Sequence, residues 1–157
     1  MYPSLEEFKE LSKKYNRITV YKETDGDMDT PVSILSKLLS LDRAILLESA
    51  KESKVYSRFS FLAFGIREKL LFKEGGLYSN GKQLGDISHL EEILLQNRTA
   101  PYEGFGDFSG GYVGYLNFGF VDQCNILRQP LRHKESDAGA FYLVEKFCVY
   151  DNYTNRL

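Results

Sequence analysis

Three side chains stand where they could grip a free amino acid: Glu48, Ser49 and Arg58. Glu48 and Ser49 follow the apolar piece Ile45-Leu-Leu47, and Arg58 precedes Phe59-Ser-Phe-Leu-Ala-Phe-Gly65. A carboxylate accepts from an ammonium, and a hydroxyl donates or accepts. A guanidinium holds a carboxylate through two parallel bonds, and could equally fix Glu48 by such a fork. The same residues also suit turn capping by Glu48 and Ser49, with Arg58 lying along a strand edge. Spacing alone leaves both readings open. If the strands expected at 44–48 and 58–66 pair antiparallel, the end of the first lies beside the start of the second. Residues 48–49 and 57–58 then meet at one end of the ladder.

Other candidate chemistry fails on context. Asp25-x-Asp27-x-Asp29 looks like the start of a calcium loop, but Thr30 occupies the position that needs glycine and Ser36 the position that needs glutamate. Gly104-x-Gly106 and Gly110-Gly-x-x-Gly114 suggest a phosphate cradle. No Gly-Lys-Ser or Gly-Lys-Thr follows, and the second group enters a strand instead of opening a helix. His89 and His133 are isolated, and neither Cys124 nor Cys148 has a base nearby in sequence. No acid/base pair, metal site or catalytic constellation is legible.

The elements that must carry these residues follow from punctuation and periodicity. Ser4-Leu-Glu-Glu7 is a capping box that opens a helix to about Tyr15. Arg17–Lys22 alternates like a half-buried strand. Thr30-Pro31 starts a second helix with a wide leucine face. After 44–48 and 58–66, strands are expected at 69–74 and 76–79, joined by Glu74-Gly-Gly76, and Ser79-Asn-Gly81 makes another tight turn. Ser88-His-Leu-Glu91 is a second capping box, for a helix to about Asn97. Residues 99–110 form a loop, and strands are expected at 111–121 and 140–150. The apolar run from Tyr112 to Val121 has only Asn117 polar, which predicts a central strand buried on both faces. A turn at Asp151-Asn152 then begins a short return strand.

Short turns between neighbouring strands imply antiparallel pairing. The predicted class is therefore α+β, with packed, mostly antiparallel β-sheets and flanking helices. The 157 residues suit one domain, and 11 Tyr and 11 Phe with no Trp favour a sheet-rich core. A net charge of −2 makes no electrostatic case for nucleic acid. The longest apolar runs fall well short of the ~18 residues a membrane span needs. Two distant cysteines and no signal peptide point to reduced thiols and a cytoplasmic location.

Four segments in order resemble one family. They are Asp29-Thr-Pro-Val-Ser33 before a leucine-rich helix, Leu46-Leu-Glu-Ser-Ala50, Ser57-Arg-Phe-Ser-Phe-Leu62 and Gly110-Gly-Tyr-Val-Gly-Tyr115. Together they look like component I of anthranilate synthase, the subunit acting on chorismate. The resemblance covers about Asp29 to the end. It implies that residues 1–157 are an N-terminal regulatory and scaffold domain, inactive alone. A chorismate-binding catalytic domain with magnesium ligands would follow, and a glutamine amidotransferase subunit (component II) would be a partner. It also implies a share in the site for feedback inhibition by L-tryptophan. Glu48 and Ser49 match the Glu-Ser of that site, and Arg58 matches its basic residue. One departure is Leu116-Asn-Phe-Gly-Phe-Val-Asp122, where the family often has a Tyr-Asp pair and a later Arg. The alternatives are component I of aminodeoxychorismate synthase, of similar fold and substrate, and a stand-alone amino-acid-binding module.

Overall fold

Local capping sets the first helices. In a computed structural model describing residues 1–40, 43–48, 58–102, 108–124 and 137–157, Ser4 Oγ accepts from the Glu7 N–H at 3.3 Å and the Glu7 carboxylate accepts from the Ser4 N–H at 2.8 Å. Helix α1 (Leu5–Leu11) follows, and turns continue to Tyr15. Thr30 and Ser33 form the same reciprocal box at α2 (Pro31–Leu39). Asp29 reinforces it by accepting from Ser33 Oγ at 2.7 Å and Lys37 Nζ at 2.6 Å. Those donors hold its carboxyl below the usual range. Helix α3 (His89–Gln96) begins after Ser88, but Ser88 makes no side-chain cap. Its N–H and hydroxyl both donate to Asp86, so the expected second capping box is replaced by an Asp-centred turn.

The strands are β1 (Ile45–Leu47), β2 (Phe59–Lys73), β3 (Gly76–Ser79), β4 (Lys82–Gly85), β5 (Gly111–Leu116) and β6 (Gly139–Asp151). They form a six-stranded sheet in the order β4-β3-β2-β6-β5, with β1 also paired to β2. The sheet is antiparallel, and the fold is α+β as predicted. The Ala138 N–H donates to the Phe72 carbonyl and the Asn152 N–H to the Arg58 carbonyl, so β6 runs opposite to β2. Both tight turns hold: Glu74-Gly75 and Asn80-Gly81 all have positive φ, the conformation a two-residue hairpin needs.

Three expectations are corrected. The pieces 58–66 and 69–74 are one continuous strand, β2. Its charged interruption is satisfied from other segments, because Glu68 accepts from Ser79 Oγ at 2.5 Å and the Tyr112 hydroxyl at 2.9 Å. Among the described residues, Arg17–Lys22 makes only single bridges, Arg17 to Thr99 and Tyr21 to Tyr2. The strand at 111–121 stops at Leu116 and gives way to a 3-10 helix over Phe118–Cys124. It is also not central, since β5 ends the strand order.

The chain divides into two compact units. The first comprises Met1–Ile66, Arg98–Gly110 and Val144–Leu157, and the second Arg67–Asn97 and Gly111–Leu143. In the first, Ile34, Leu35 and Leu38 of α2 pack with Leu46, Leu62, Cys148, Tyr150 and Leu157. Fully burying such an aliphatic side chain stabilises by about 1.5–3 kcal/mol. The return segment after β6 is anchored there: Thr24 and Leu157 exchange backbone hydrogen bonds of 2.8 and 3.0 Å. In the second, Leu70, Phe72, Leu77 and Ala138 form the core, with Leu90 and Ile93 of α3 against it. Phe72 meets Phe120 and Phe141 edge to face.

Candidate functional site

The end of the β1/β2 ladder lies in the first unit. The two strands pair antiparallel, with Leu47 opposite Phe61. The ladder ends there, and Glu48 follows β1 by one residue while Arg58 precedes β2 by one. Glu48 is exposed just past β1. Arg58 is held where β2 begins. Its carbonyl accepts from the Asn152 N–H at 2.8 Å and from Asn152 Nδ2 at 3.1 Å. The same Nδ2 donates to Ser60 Oγ at 3.0 Å.

The Arg58 guanidinium is committed to Asp151 rather than to Glu48. Nη2 donates to Oδ2 at 2.7 Å, while Nε donates to Oδ2 at 3.1 Å and to Oδ1 at 3.2 Å. The plane also lies over the Phe59 ring, 4.8 Å from its centroid. Burial alone would push the Asp151 carboxyl up. Hydrogen bonds from Arg58, the Tyr153 N–H and Thr154 outweigh it and hold the group at about 2. The pair is asymmetric in exposure: the Arg58 side chain is 50% exposed and that of Asp151 12%. The fork engages Nε and Nη2, so Asp151 leaves the Nη1 N–H groups unengaged.

Of the three predicted site residues, Glu48 directly follows β1 and Arg58 directly precedes β2, and Ser49 lies outside the described residues. Sequence reasoning missed Asp151 and Asn152. Asp151 lies 93 positions from Arg58, and its only sequence signal was as half of a turn dipeptide. Chemically, the ladder end offers an exposed carboxylate and a half-exposed, pre-oriented guanidinium.

No family model matches the chain. Curated relatives do. It is 35% identical over 121 residues to the probable anthranilate synthase component 1 of Schizosaccharomyces pombe, covering 75% of this chain and 23% of that protein. It is 31% identical over 169 residues to anthranilate synthase component 1 of Aquifex aeolicus, covering 98% of this chain and 33% of the relative. The Arthrobacter globiformis protein of the same name is 30% identical, over 96% of this chain and 30% of its own length. The chain thus spans a third or less of the length of these curated relatives. Among solved structures, anthranilate synthase component I from Streptococcus pneumoniae shares the fold, with a TM-score of 0.51 at 21% identity over 87% of this chain and 30% of that one. With four motifs in order, nearly all of its residues aligned to relatives of one name, and the fold in common, this chain belongs to the anthranilate synthase component I family.

Proposed function

We propose that residues 1–157 are the N-terminal regulatory and scaffold portion of a component I that converts chorismate to anthranilate in tryptophan biosynthesis. The observation that carries this reading is alignment over 98% of the chain to a third of a protein bearing that name. The lyase chemistry, with its magnesium, is assigned to the remainder of the intact protein. Among the described residues no group of three or more His, Cys, Asp or Glu could hold a metal. A glutamine amidotransferase subunit, component II, would supply ammonia.

In this reading Glu48, Ser49 and Arg58 supply one half of a site for L-tryptophan as feedback inhibitor. Glu48 accepts from the ligand's ammonium, and Ser49 adds a hydroxyl. Arg58 offers its outward N–H groups to the ligand's carboxylate, held in place from behind by Asp151. The indole would meet apolar walls from the remainder. The reading is supported by the antiparallel pairing of β1 with β2, next to which both residues lie, and by the fork that orients the guanidinium.

The test is turnover of the intact protein with chorismate, magnesium and ammonia, followed by anthranilate fluorescence with and without tryptophan. Anthranilate formation that tryptophan suppresses is expected, with no turnover by residues 1–157 alone. A product that keeps the pyruvyl group would identify an aminodeoxychorismate synthase instead. Turnover by the 157-residue chain alone would overturn the division of labour.

A further inference from the structure

The β3/β4 hairpin turns on Asn80-Gly81, and Asn80 is the only asparagine in the sequence that glycine follows. The other asparagines precede arginine, phenylalanine, isoleucine or tyrosine. The side-chain carbonyl carbon of an asparagine and the backbone nitrogen of the next residue are one ring closure apart. A side chain on that next residue hinders the closure, and glycine has none. Burial, a hydrogen bond on the attacking N–H, and a stiffly held backbone are the remaining obstacles.

The turn lifts all three. Asn80 and Gly81 are exposed, and a Cβ added to Gly81 would meet nothing within 4 Å. Ser79 pairs with Lys82 across the turn, which leaves the Gly81 N–H outside the ladder. β4 is the last strand at its end of the sheet order, and Lys82, Gln83 and Leu84 are exposed. A strand so placed frays at low cost. The sequence holds one other pair of this kind, Asp25-Gly26, and that pair is shut. Gly26 is buried, and its N–H donates to the Asn155 carbonyl at 2.8 Å. A Cβ added there would lie 3.0 Å from the same oxygen and from the Tyr150 ring.

We propose that Asn80 is a site of spontaneous deamidation in the folded protein, through a succinimide closed with Gly81. The Gly81 nitrogen bonds to Asn80 Cγ and gives up its proton. The bond from Cγ to the side-chain nitrogen breaks, and that nitrogen leaves with the proton as ammonia. Water then opens the ring at one of its two carbonyls. Opening at Cγ gives aspartate. Opening at the main-chain carbonyl gives isoaspartate, whose main chain runs through the former side chain. Nothing is oxidised or reduced, and the net change is one water taken up and one ammonia released.

The turn distinguishes the two products. Asn80 has φ 48° and Gly81 φ 83°. Aspartate tolerates that left-handed conformation as asparagine does, so the two-residue turn keeps its shape. Isoaspartate lengthens the main chain by one carbon, and the turn no longer sets Ser79 opposite Lys82. The aspartyl form keeps β4 in place and the isoaspartyl form loosens it. This chemistry does not depend on what the intact enzyme catalyses.

The test incubates the intact protein in warm, mildly alkaline buffer and follows its tryptic peptides by mass. Peptide 74–82 holds Asn80, peptide 83–98 holds Asn97, and peptide 23–37 holds Asp25-Gly26. Peptide 74–82 is expected to exchange NH2 for OH and to split into two chromatographic forms. One of them, the isoaspartyl form, should accept a methyl group from S-adenosylmethionine through an isoaspartyl methyltransferase. Peptides 83–98 and 23–37 are expected to stay unchanged. Hydrogen exchange over residues 76–85 is expected to quicken in the aged protein and to keep the starting rate in Asn80→Asp. Peptide 74–82 unchanged in the folded protein overturns the proposal, even if it converts after unfolding, and so does equal conversion of Asn97. Equal exchange in the aged protein and in Asn80→Asp overturns the discrimination between products.

Discussion

Two strand ends in this chain treat their exposed chemistry in opposite ways. At the start of β2, a guanidinium that could have stood free is met by a carboxylate 93 residues away, and its backbone is clasped by Asn152. At the close of β5, three large apolar side chains, Tyr115, Leu116 and Phe118, are exposed. The first end is satisfied within the chain. The second exposes apolar side chains beside a tightly packed strand pair. A polar half-site can be solvated while it waits, because water substitutes for the ligand. An apolar edge has no such substitute, so its exposure to water carries a standing cost.

The sharpest way to probe this contrast lies within β5 itself. Val113→Asp places an unpaired charge at its buried position and is expected to cost on the order of 3 kcal/mol or more, read as loss of the cooperative thermal transition. In the 157-residue chain, Leu116→Lys three positions on is expected to change stability by less than about 0.5 kcal/mol. Equal costs at the two positions would erase the distinction between the buried and bare parts of the strand.

The polar end gives an intermediate effect. Asp151→Asn breaks the fork and is expected to cost about 1–2 kcal/mol, moderated by the half-exposed guanidinium. Its pH dependence is defined by the folded carboxyl titrating at about 2 against an ordinary value of 3.8. A carboxyl lowered by folding binds protons more readily in the unfolded chain. The stabilisation is therefore complete above about pH 4 and lost as pH falls towards 2. Acid melts of the unsubstituted chain should show that loss, and Asp151→Asn should flatten it. A variant as acid-sensitive as its parent would show that other carboxylates govern the window.

Much of the local structure was legible in the sequence, because caps and turns act over three or four residues. Ser4 with Glu7, Thr30 with Pro31, and the Glu74-Gly75 and Asn80-Gly81 turns all behave as their residue types dictate. The failures share a cause, which is competition from partners, near or distant in sequence, that the motif alone does not include. Ser88 prefers Asp86 two residues before it. Arg67 and Glu68 looked like a break, yet Ser79 and Tyr112 satisfy Glu68 inside a continuous strand. The run after Gly111 was read as a buried central strand, a reading that took account of the side chains but not of strand order. Of the candidate site, the antiparallel pairing of β1 with β2 was legible, and the Asp151 anchor was not. An ion pair spanning 93 positions leaves no periodic trace in one sequence.

The central claim is that the ladder end holding Glu48 belongs to the inhibitor site of the intact enzyme. The most direct measurement is the tryptophan inhibition curve of the intact protein against its Glu48→Ala variant. Losing one charge-assisted hydrogen bond costs about 1.5–3 kcal/mol, so the inhibition constant should rise on the order of tenfold or more. An inhibition constant unchanged by Glu48→Ala would contradict the assignment.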